Sequence, residues 1–436
     1  MRRAAFVIAA GILAAAPAPA AAKPRLNVSR GAAEAGQQVS LAGHGFPRAA
    51  GLRVALGGRI VKRARTGPRG GFRLRIRVPA RRPGRYRLAA RAGGRAATRF
   101  FWIRSAPVRQ PQPERVSPPP GGPAPIAASP PPPPPPPPTL VAAGDIACRP
   151  DLTETPARCR QAHTATLVEG LAPDAVAVLG DNQYEHGELA NFQASYDPTW
   201  GRFKALTRPA VGNHEYEGDP ERDSAPGYYE YFGTTAGDPA EGFYRWALGD
   251  WTVFVLNSGA IDYTRASGGD PTLPDDCWPV SCVALSEQES WLRGQLESLP
   301  DDACVLAYWH HPRYSSGYGG VTRDYPETAP LYQALYEHGA ELVLTGHAHN
   351  YERFAPMDSA GVADSATGVT EFVVGTGGRN LFTDPGARRD TSEQLYIDAF
   401  GVLELTLKPG GWSSRFVTEA GETRDETTAT CHTPPV

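Results

Sequence analysis

Five short polar clusters punctuate the chain between positions 144 and 349, and most of them directly follow a short apolar run. The clusters read GD (144–145), GDNQY (180–184), GNHE (212–215), HHP (310–312) and GHAH (346–349). Polar residues at the carboxyl ends of buried strands are where α/β sheets place binding and catalytic groups. Five such clusters in one order therefore predict an α/β domain with a single site at one edge of its sheets.

The chain from Thr139 onward alternates two kinds of pattern. Apolar runs typical of buried strands occupy residues 140–143, 175–179, 253–256, 305–308 and 342–344. Helical patterns occupy residues 160–170, 286–299 and 331–338, and the second has Ser286 as its cap with Glu289 three residues on. Strands that alternate with helices predict an α/β layered fold, here a two-sheet sandwich.

A separate N-terminal module covers residues 23–105. Its segments 38–41, 52–56, 72–78 and 86–88 alternate apolar and polar side chains, which indicates half-buried strands, and glycine turns separate them. The pattern predicts a small all-β sandwich and resembles the immunoglobulin-like modules of bacterial cell-surface proteins. Residues 106–138 are predicted to be a linker, because the proline run 130–138 adopts a stiff extended helix. The catalytic domain is then residues 139–436.

The charge of the chain is divided unevenly between these parts. Residues 23–104 contain 21 Lys or Arg and one acid, a net charge of +20, whereas residues 139–436 carry a net charge of −25. The basic module could bind an anionic cell-surface polymer, phospholipid head groups or extracellular nucleic acid. The alternative is an arginine-rich solvated face with no ligand. Signatures of sequence-specific nucleic-acid recognition are absent.

Features of the chain indicate export. Residues 1–22 combine a basic start, an apolar stretch and an alanine-rich end, which predicts a secretory signal peptide. No later stretch reaches about 18 uninterrupted apolar residues, so we expect no membrane span. Six cysteines follow the linker and suggest disulfide bonds in an exported protein. Close spacing favours Cys148 with Cys159 and Cys277 with Cys282, which leaves Cys304 with Cys431. The expected location is extracellular or associated with the cell wall.

The residue types of the five clusters indicate a reaction class. Phosphate esters hydrolyse extremely slowly in water, and two cations about 3.5–4 Å apart that share a bridging ligand accelerate the reaction. The cations also lower the pKa of a bound water, so that a hydroxide nucleophile exists near neutral pH. Asp, Asn, Tyr and His supply the oxygen and imidazole ligands that such ions take. The clusters therefore predict a two-metal phosphoesterase.

Residues 139 to about 430 resemble the calcineurin-like metallophosphoesterases and, among them, the purple acid phosphatases. The pattern of that subfamily is DxG, GDxxY, GNHE, a His after an apolar strand, and GHxHxYER. This chain reads DIA (145–147), GDNQY, GNHE, AYWH (307–310) and GHAHNYER (346–353). Tyr184 is the residue that separates purple acid phosphatases from most relatives, and Ala147 stands where the family usually has Gly. The resemblance implies a four-layer β-sandwich flanked by helices.

The resemblance also implies seven metal ligands. The ligands of the first metal, ferric iron in this family, would be Asp145, Tyr184 and His349. Asp181 would bridge the two ions. The ligands of the second metal, a divalent Fe, Zn or Mn, would be Asn213, His310 and His347.

Other residues have roles outside the metal shell. His214 would stabilise the transition state or protonate the leaving oxygen, a role that suits imidazole. Glu215 is a candidate hydrogen-bond partner for a histidine. Cationic groups that could favour a phosphate monoester are Arg313, Arg323, Arg353 and Arg379.

Three functions are compatible with these residues. The first is a secreted phosphoesterase that hydrolyses phosphate monoesters by attack of metal-bound hydroxide. The second is a phosphodiesterase or nucleotide hydrolase on the same scaffold, since substrate walls rather than ligands decide between the two. The third is mainly a surface-binding protein with an inactive hydrolase, which a lost ligand would favour. No ligand is lost.

Overall fold

The computed structural model describes residues 24–28, 32–34, 36–56, 59–79, 84–93, 95–104, 135–219, 224–239, 241–259, 261, 277, 280–317, 324–384 and 387–435. The chain divides into two compact units, residues 1–129 and residues 130–436. The predicted signal peptide lies outside the described residues, as does the predicted linker up to residue 134.

The described residues of the N-terminal unit form eight strands in two sheets. The strands are β1 (Arg25–Val28), β2 (Ala32–Glu34), β3 (Gln38–His44), β4 (Gly51–Leu56), β5 (Arg59–Arg65), β6 (Phe72–Arg77), β7 (Gly84–Ala92) and β8 (Arg95–Arg104). One sheet has the order β1-β3-β6 and the other β2-β8-β7-β4-β5. Apolar side chains of alternate positions, such as Val39, Leu41 and Val54, form one buried core. The predicted small all-β module is confirmed.

The second unit contains thirteen strands among the described residues. They are β9 (Thr139–Ala143), β10 (Ala175–Leu179), β11 (Thr207–Ala210), β12 (Tyr244–Leu248), β13 (Trp251–Val255), β14 (Val305–Tyr308), β15 (Leu342–Thr345), β16 (Tyr351–Phe354), β17 (Thr370–Val374), β18 (Ser392–Tyr396), β19 (Gly401–Lys408), β20 (Gly411–Thr418) and β21 (Thr423–Thr430). The first sheet has the order β11-β10-β9-β19-β20-β21, and the second has the order β12-β13-β14-β15-β17-β16-β18.

Among the described residues, helices with complete bounds are fewer than strands and mostly short. The α-helices are α1 (Gln161–Leu171), α2 (Leu189–Asn191), α3 (Asn213–Tyr216), α4 (Pro226–Phe232), α5 (Glu287–Leu296) and α6 (Ala329–Glu337). A π-helix covers Phe192–Tyr196, and 3-10 helices cover Trp200–Phe203, Gly233–Ala236 and Pro326–Thr328. No helix among the described residues is long and apolar enough to cross a membrane.

Strands β14 and β15 of the second sheet are buried on both faces, which explains why they read as continuous apolar runs, whereas β12 and β18 are partly exposed. Successive residues of β13 point into different cores: Val253 packs into the core shared with the first sheet, and Phe254 packs into a second core. That second core also contains Leu292 of α5 and Leu335 of α6. Helix α1 packs against β19 of the first sheet. The predicted α/β sandwich flanked by helices is confirmed.

Three disulfide bonds join Cys148 to Cys159, Cys277 to Cys282 and Cys304 to Cys431. These are the pairs that the sequence spacing favours. The first bond lies beside the loop after β17, because the backbone N–H of Cys159 donates to the carbonyl oxygen of Arg379 at 3.1 Å. The last bond ties the strand β14 region to the segment that follows β21.

Candidate metal centre

The polar clusters follow five parallel strands that lie in two sheets. Asp145, Asp181 and Asn213 come shortly after β9, β10 and β11, which pair in parallel in the first sheet. His310 and His347 come shortly after β14 and β15, which pair in parallel in the second sheet. Because parallel strands end at the same edge of their sheet, each sheet presents its own clusters together.

The backbone at these turns is unusual. Asp145, Asp181 and His347 have φ angles of 58°, 48° and 66°, in the left-handed region that residues with side chains rarely occupy. Such conformations cost about 1–3 kcal/mol each and are concentrated at functional sites. The turns also need close packing, since a Cβ at Gly212 would lie 2.2 Å from Asp181 Oδ1. The Gly in GNHE therefore lets the third cluster approach the second.

One group of ligand-type side chains surrounds the hydroxyl of Tyr184. This buried oxygen lies 2.7 Å from Asp145 Oδ1, 3.1 Å from Asp181 Oδ2 and 3.0 Å from His349 Nε2. His349 Nε2 is in turn 3.1 Å from Asp145 Oδ1. Four residues from three clusters thus place their donor atoms around one point.

A second group adjoins the first through Asp181. His310 Nε2 lies 3.1 Å from Asp181 Oδ2, and His347 Nδ1 lies 3.2 Å from His310 Nε2. The oxygen Oδ1 of Asn213 is buried and has no hydrogen-bond partner among the described residues. The main chain N–H of the next residue, His214, donates to Asp181 Oδ1 at 2.9 Å. Asp181 is therefore the residue common to both groups.

Burial and mutual charge shift the pKa values of the centre. Burial would raise the pKa of Asp181, but His310 and His214 outweigh it and hold the pKa well below its ordinary value. Burial also favours a higher pKa for Asp145, yet His349 and His310 lower it overall. Burial, with Asp145 and Asp181 next, raises the pKa of Tyr184 well above its ordinary value. Burying two carboxylates beside one phenol is unfavourable unless positive charge lies nearby to compensate them.

His214 stands beside the centre in a defined orientation. Its Nδ1 lies 2.6 Å from the carbonyl oxygen of Glu185 and 3.2 Å from a carboxylate oxygen of Glu217. Its Nε2 faces Asp181 Oδ2 at 3.8 Å. Burial lowers the pKa of His214, but Asp181 and Glu217 outweigh it and raise the pKa to about 10. The orienting bonds fall on one ring nitrogen and leave the other directed at the centre.

The sequence suggested Glu215 as a hydrogen-bond partner of a histidine, but among the described residues it accepts hydrogen bonds from the main chain instead. Its two oxygens accept from the N–H groups of Asp181, Asn182, Gln183 and Gly212 at 2.7–3.1 Å. Burial, with Asp181 next, raises the pKa of Glu215 to about 7. The side chain therefore ties the GDNQY and GNHE clusters together.

Comparison with known proteins identifies the domain. Residues 138–351 match the model of the calcineurin-like phosphoesterase family. The chain carries a calcineurin-like phosphoesterase domain. The match contains all seven predicted ligands, from Asp145 to His349.

Purple acid phosphatases are among the relatives of this phosphoesterase domain. Purple acid phosphatase 15 of Arabidopsis thaliana is 24% identical over 212 residues, which cover 42% of this chain and 36% of that protein. The chain thus spans about a third of the length of this relative. The purple acid phosphatase PPD1 from yellow lupin (Lupinus luteus) seeds has the same fold, with a TM-score of 0.53 at 16% identity over 94% of this chain and 74% of that one. The resemblance and the predicted class, a metal-dependent phosphoester hydrolase domain, are confirmed.

Sequence reasoning missed one residue of the phosphoesterase site, Tyr325. Its hydroxyl lies 2.7 Å from Nε2 of His347, on the side of the ring away from His310. Its ring packs against His311 with 4.8 Å between ring centroids. His311, left without a role by the sequence, lies 2.8 Å from the hydroxyl of Ser258 through Nδ1. No sequence signal marks Tyr325, because it lies outside the five clusters.

The four arginines suggested for substrate binding have different surroundings. Arg379 pairs with Glu185 and lies with its guanidinium 5.0 Å from the centre of the Tyr184 ring, beside the metal centre. Arg353 instead pairs with Asp425 and Glu393. The guanidinium of Arg313 lies over the Tyr314 ring, and Arg323 is outside the described residues. Only Arg379 of the described three contacts a candidate ligand.

Proposed function

We propose that this protein is a secreted, purple acid phosphatase-like enzyme that hydrolyses phosphate monoesters with a pair of metal ions. The observation that carries the proposal is the position of the Tyr184 hydroxyl, between two buried carboxylates and an imidazole. A tyrosine in this position is the feature that the resemblance assigns to ferric iron. Disulfide bonds and the signal-like N-terminus support secretion.

The residues present fit two cations. Carboxylate, phenol, amide and imidazole donors suit iron and the divalent ions Fe, Zn and Mn. In each of two sets, the possible ligand atoms lie within 4.8 Å of one another. One set is Asp145, Asp181 and His310, and the other is His310, His311 and His347. The buried, unpartnered Oδ1 of Asn213 is the kind of atom that a metal would satisfy.

The proposed ligands of the two metals follow the group around the Tyr184 hydroxyl and the group around His310. Asp145, Tyr184 and His349 would hold ferric iron, and Asp181 would bridge. Asn213, His310 and His347 would hold the divalent ion. When bound, the pair supplies positive charge that polarises the phosphoryl oxygens and stabilises the transition state.

His214 would move the proton that the reaction needs. With Nδ1 held by the carbonyl of Glu185, the ring presents Nε2 toward Asp181 and the centre. A proton on Nε2 can pass to the leaving oxygen of an ester bound there, which makes the departing group an alcohol. Arg379, held beside Tyr184, would add positive charge at the rim and favour a monoester over a diester.

The experiment combines metal analysis, a visible spectrum and two substrates. We expect iron and a second metal in the purified protein, a visible absorption band from the tyrosine–iron contact, and faster hydrolysis of 4-nitrophenyl phosphate than of bis(4-nitrophenyl) phosphate. Faster hydrolysis of the diester would support the phosphodiesterase alternative. Absence of hydrolysis in protein that contains both metals would support a surface-binding protein.

Tyr184→Phe tests the subfamily directly. We expect the visible band to disappear while part of the activity remains, because Asp145, Asp181 and His349 remain to hold the first metal. The matched control is Tyr228→Phe, which removes a buried hydroxyl that donates to the carbonyl of Pro209. An active, colourless wild-type enzyme without iron would make this a generic two-metal phosphoesterase.

We also propose that the basic N-terminal module holds the enzyme on an anionic polymer at the cell surface. The net charge of +20 over residues 23–104 supports this.

A further inference from the structure

Three arginines form a row across the five-stranded sheet of the N-terminal unit. Arg53 of β4 lies directly opposite Arg63 of β5, and on its other side it lies directly opposite Arg91 of β7. Directly opposed residues of antiparallel strands point to the same face, and all three side chains are exposed. We call these three residues the arginine ladder.

The ladder is an unfavourable arrangement for the fold itself. Neighbouring strands are about 4.8 Å apart, and like charges directly opposite one another destabilise a sheet. The one acid in residues 23–104 is Glu34, and it lies on β2 at the opposite edge of the sheet from β5. Among the residues that the structure describes, no ion pair is formed by the ladder.

Other arginines of the module contribute to its structure. Arg77 donates to the carbonyl of Gly36 at 2.9 Å, and Arg99 donates to the carbonyl of Leu26 at 3.0 Å. Positive charge on edge strands can also prevent sheets from joining, which would explain Arg63 on β5. Arg53 and Arg91 lie on interior strands, where that explanation does not apply.

We propose that the arginine ladder binds successive phosphate groups of an extended anionic polymer. Guanidinium groups match phosphate oxygens with two parallel hydrogen bonds, and three of them in a row span about 10 Å. The residues beside the ladder on the same face are small: Ala55 and Ala89 pair with each other, two residues along from Arg53 and Arg91. A polymer strand can therefore approach the sheet closely. This deepens the partner part of the proposed function and does not depend on catalysis.

The test measures binding of the full mature chain to immobilised inorganic polyphosphate over a range of salt concentrations. We compare R53Q/R63Q/R91Q with R69Q/R73Q/R75Q, which removes the same charge from exposed arginines of the β6 strand and the turn before it. The ladder variant is expected to bind at least tenfold more weakly and with a shallower salt dependence. The control variant is expected to change affinity less than threefold. The active site is the same in both, so its own affinity for phosphate cancels.

Three outcomes overturn the proposal. Equal losses in the two variants would mean that diffuse charge binds the polymer. Equal binding of wild type to polyglutamate would mean that phosphate is not recognised. Binding only to single-stranded DNA would make nucleic acid the partner.

A second measurement separates binding from folding and catalysis. The three positive charges of the arginine ladder repel one another, so their removal should leave the midpoint of thermal unfolding equal or raise it. Turnover of 4-nitrophenyl phosphate should not change. A chain that binds polyphosphate but hydrolyses no ester would refute the proposed function alone.

Discussion

Replacing Tyr325 with Phe should weaken binding of the second metal without disturbing the first. The hydroxyl of Tyr325 is 2.7 Å from Nε2 of His347, whose other ring nitrogen faces His310. This contact fixes the orientation of the His347 ring and which nitrogen it offers to a metal. Phe retains the ring that packs against His311 and His347, so the substitution removes the hydroxyl that contacts His347 and keeps the ring packing.

The expected magnitude follows from that single bond. A hydrogen bond of this kind contributes about 0.5–1.5 kcal/mol, and about 1.4 kcal/mol corresponds to a tenfold change in a dissociation constant. Groups that orient metal-bound histidines typically change metal affinity by about 10–100-fold. We therefore expect the dissociation constant of the divalent metal to rise roughly tenfold in Tyr325→Phe.

Competition with a chelator, read by metal analysis, measures this constant, and the visible spectrum reports the first metal separately. Tyr314→Phe is the matched control, since Tyr314 lies in the same buried core and its hydroxyl donates to the carbonyl of Ser359 at 2.8 Å, with no hydrogen bond to a candidate ligand among the described residues. Equal metal affinity in both variants would refute the positioning role. Loss of both metals in Tyr325→Phe would show that the tyrosine supports the whole centre.

Three further substitutions test other parts of the site and the fold. Asp181→Asn should abolish hydrolysis and lower metal content, because a neutral amide cannot bridge two cations as a carboxylate does; metal analysis and turnover measure both. His214→Ala should keep both metals and lower the turnover rate by roughly 10²–10⁴-fold, and loss of metal in that variant would contradict its role as an acid. Burial raises the pKa of Glu341 to about 8, although the N–H of His432 acts to lower it. The stabilising contribution of Glu341 is therefore fully present below about pH 4.5 and is lost as the pH rises through about 8. Denaturant unfolding should therefore show that wild type loses up to roughly 5 kcal/mol of unfolding free energy relative to Glu341→Gln over that range, and parallel curves would show that Glu341 does not titrate there.

Much of the fold could be predicted because the local signals agree with burial. The strand β10 covers Ala175–Leu179, the same five residues as the apolar run, since a strand between two layers has no polar face. The cap of α5 is also as predicted: Ser286 Oγ accepts from the N–H of Glu289 at 3.1 Å. Strands such as β20 and β21, with many Thr and Ser, were missed because one face of that hairpin is polar and its pattern resembles a loop.

The candidate site was predictable for its residue types and only partly for its supports. The clusters identify themselves by Asp, His, Asn and Tyr after apolar runs. Glu215 was visible as part of GNHE, yet its four main-chain donors come from two turns whose approach depends on the sheet register. Tyr325 contacts His347 although it lies 22 residues earlier in the chain, in a segment that carries no motif.

The supports explain how strained turns can persist at the centre. Asp145 and Asp181, both in the left-handed region, are each held by the main chain of another cluster: Asp145 Oδ2 accepts from the N–H of His347, and Asp181 Oδ1 accepts from the N–H of His214. Each carboxylate therefore has one oxygen committed to the fold and one directed to the centre. Residues far apart in the chain thus hold one another in place. The energetic cost of the turns is therefore offset by hydrogen bonds that form when the domain folds.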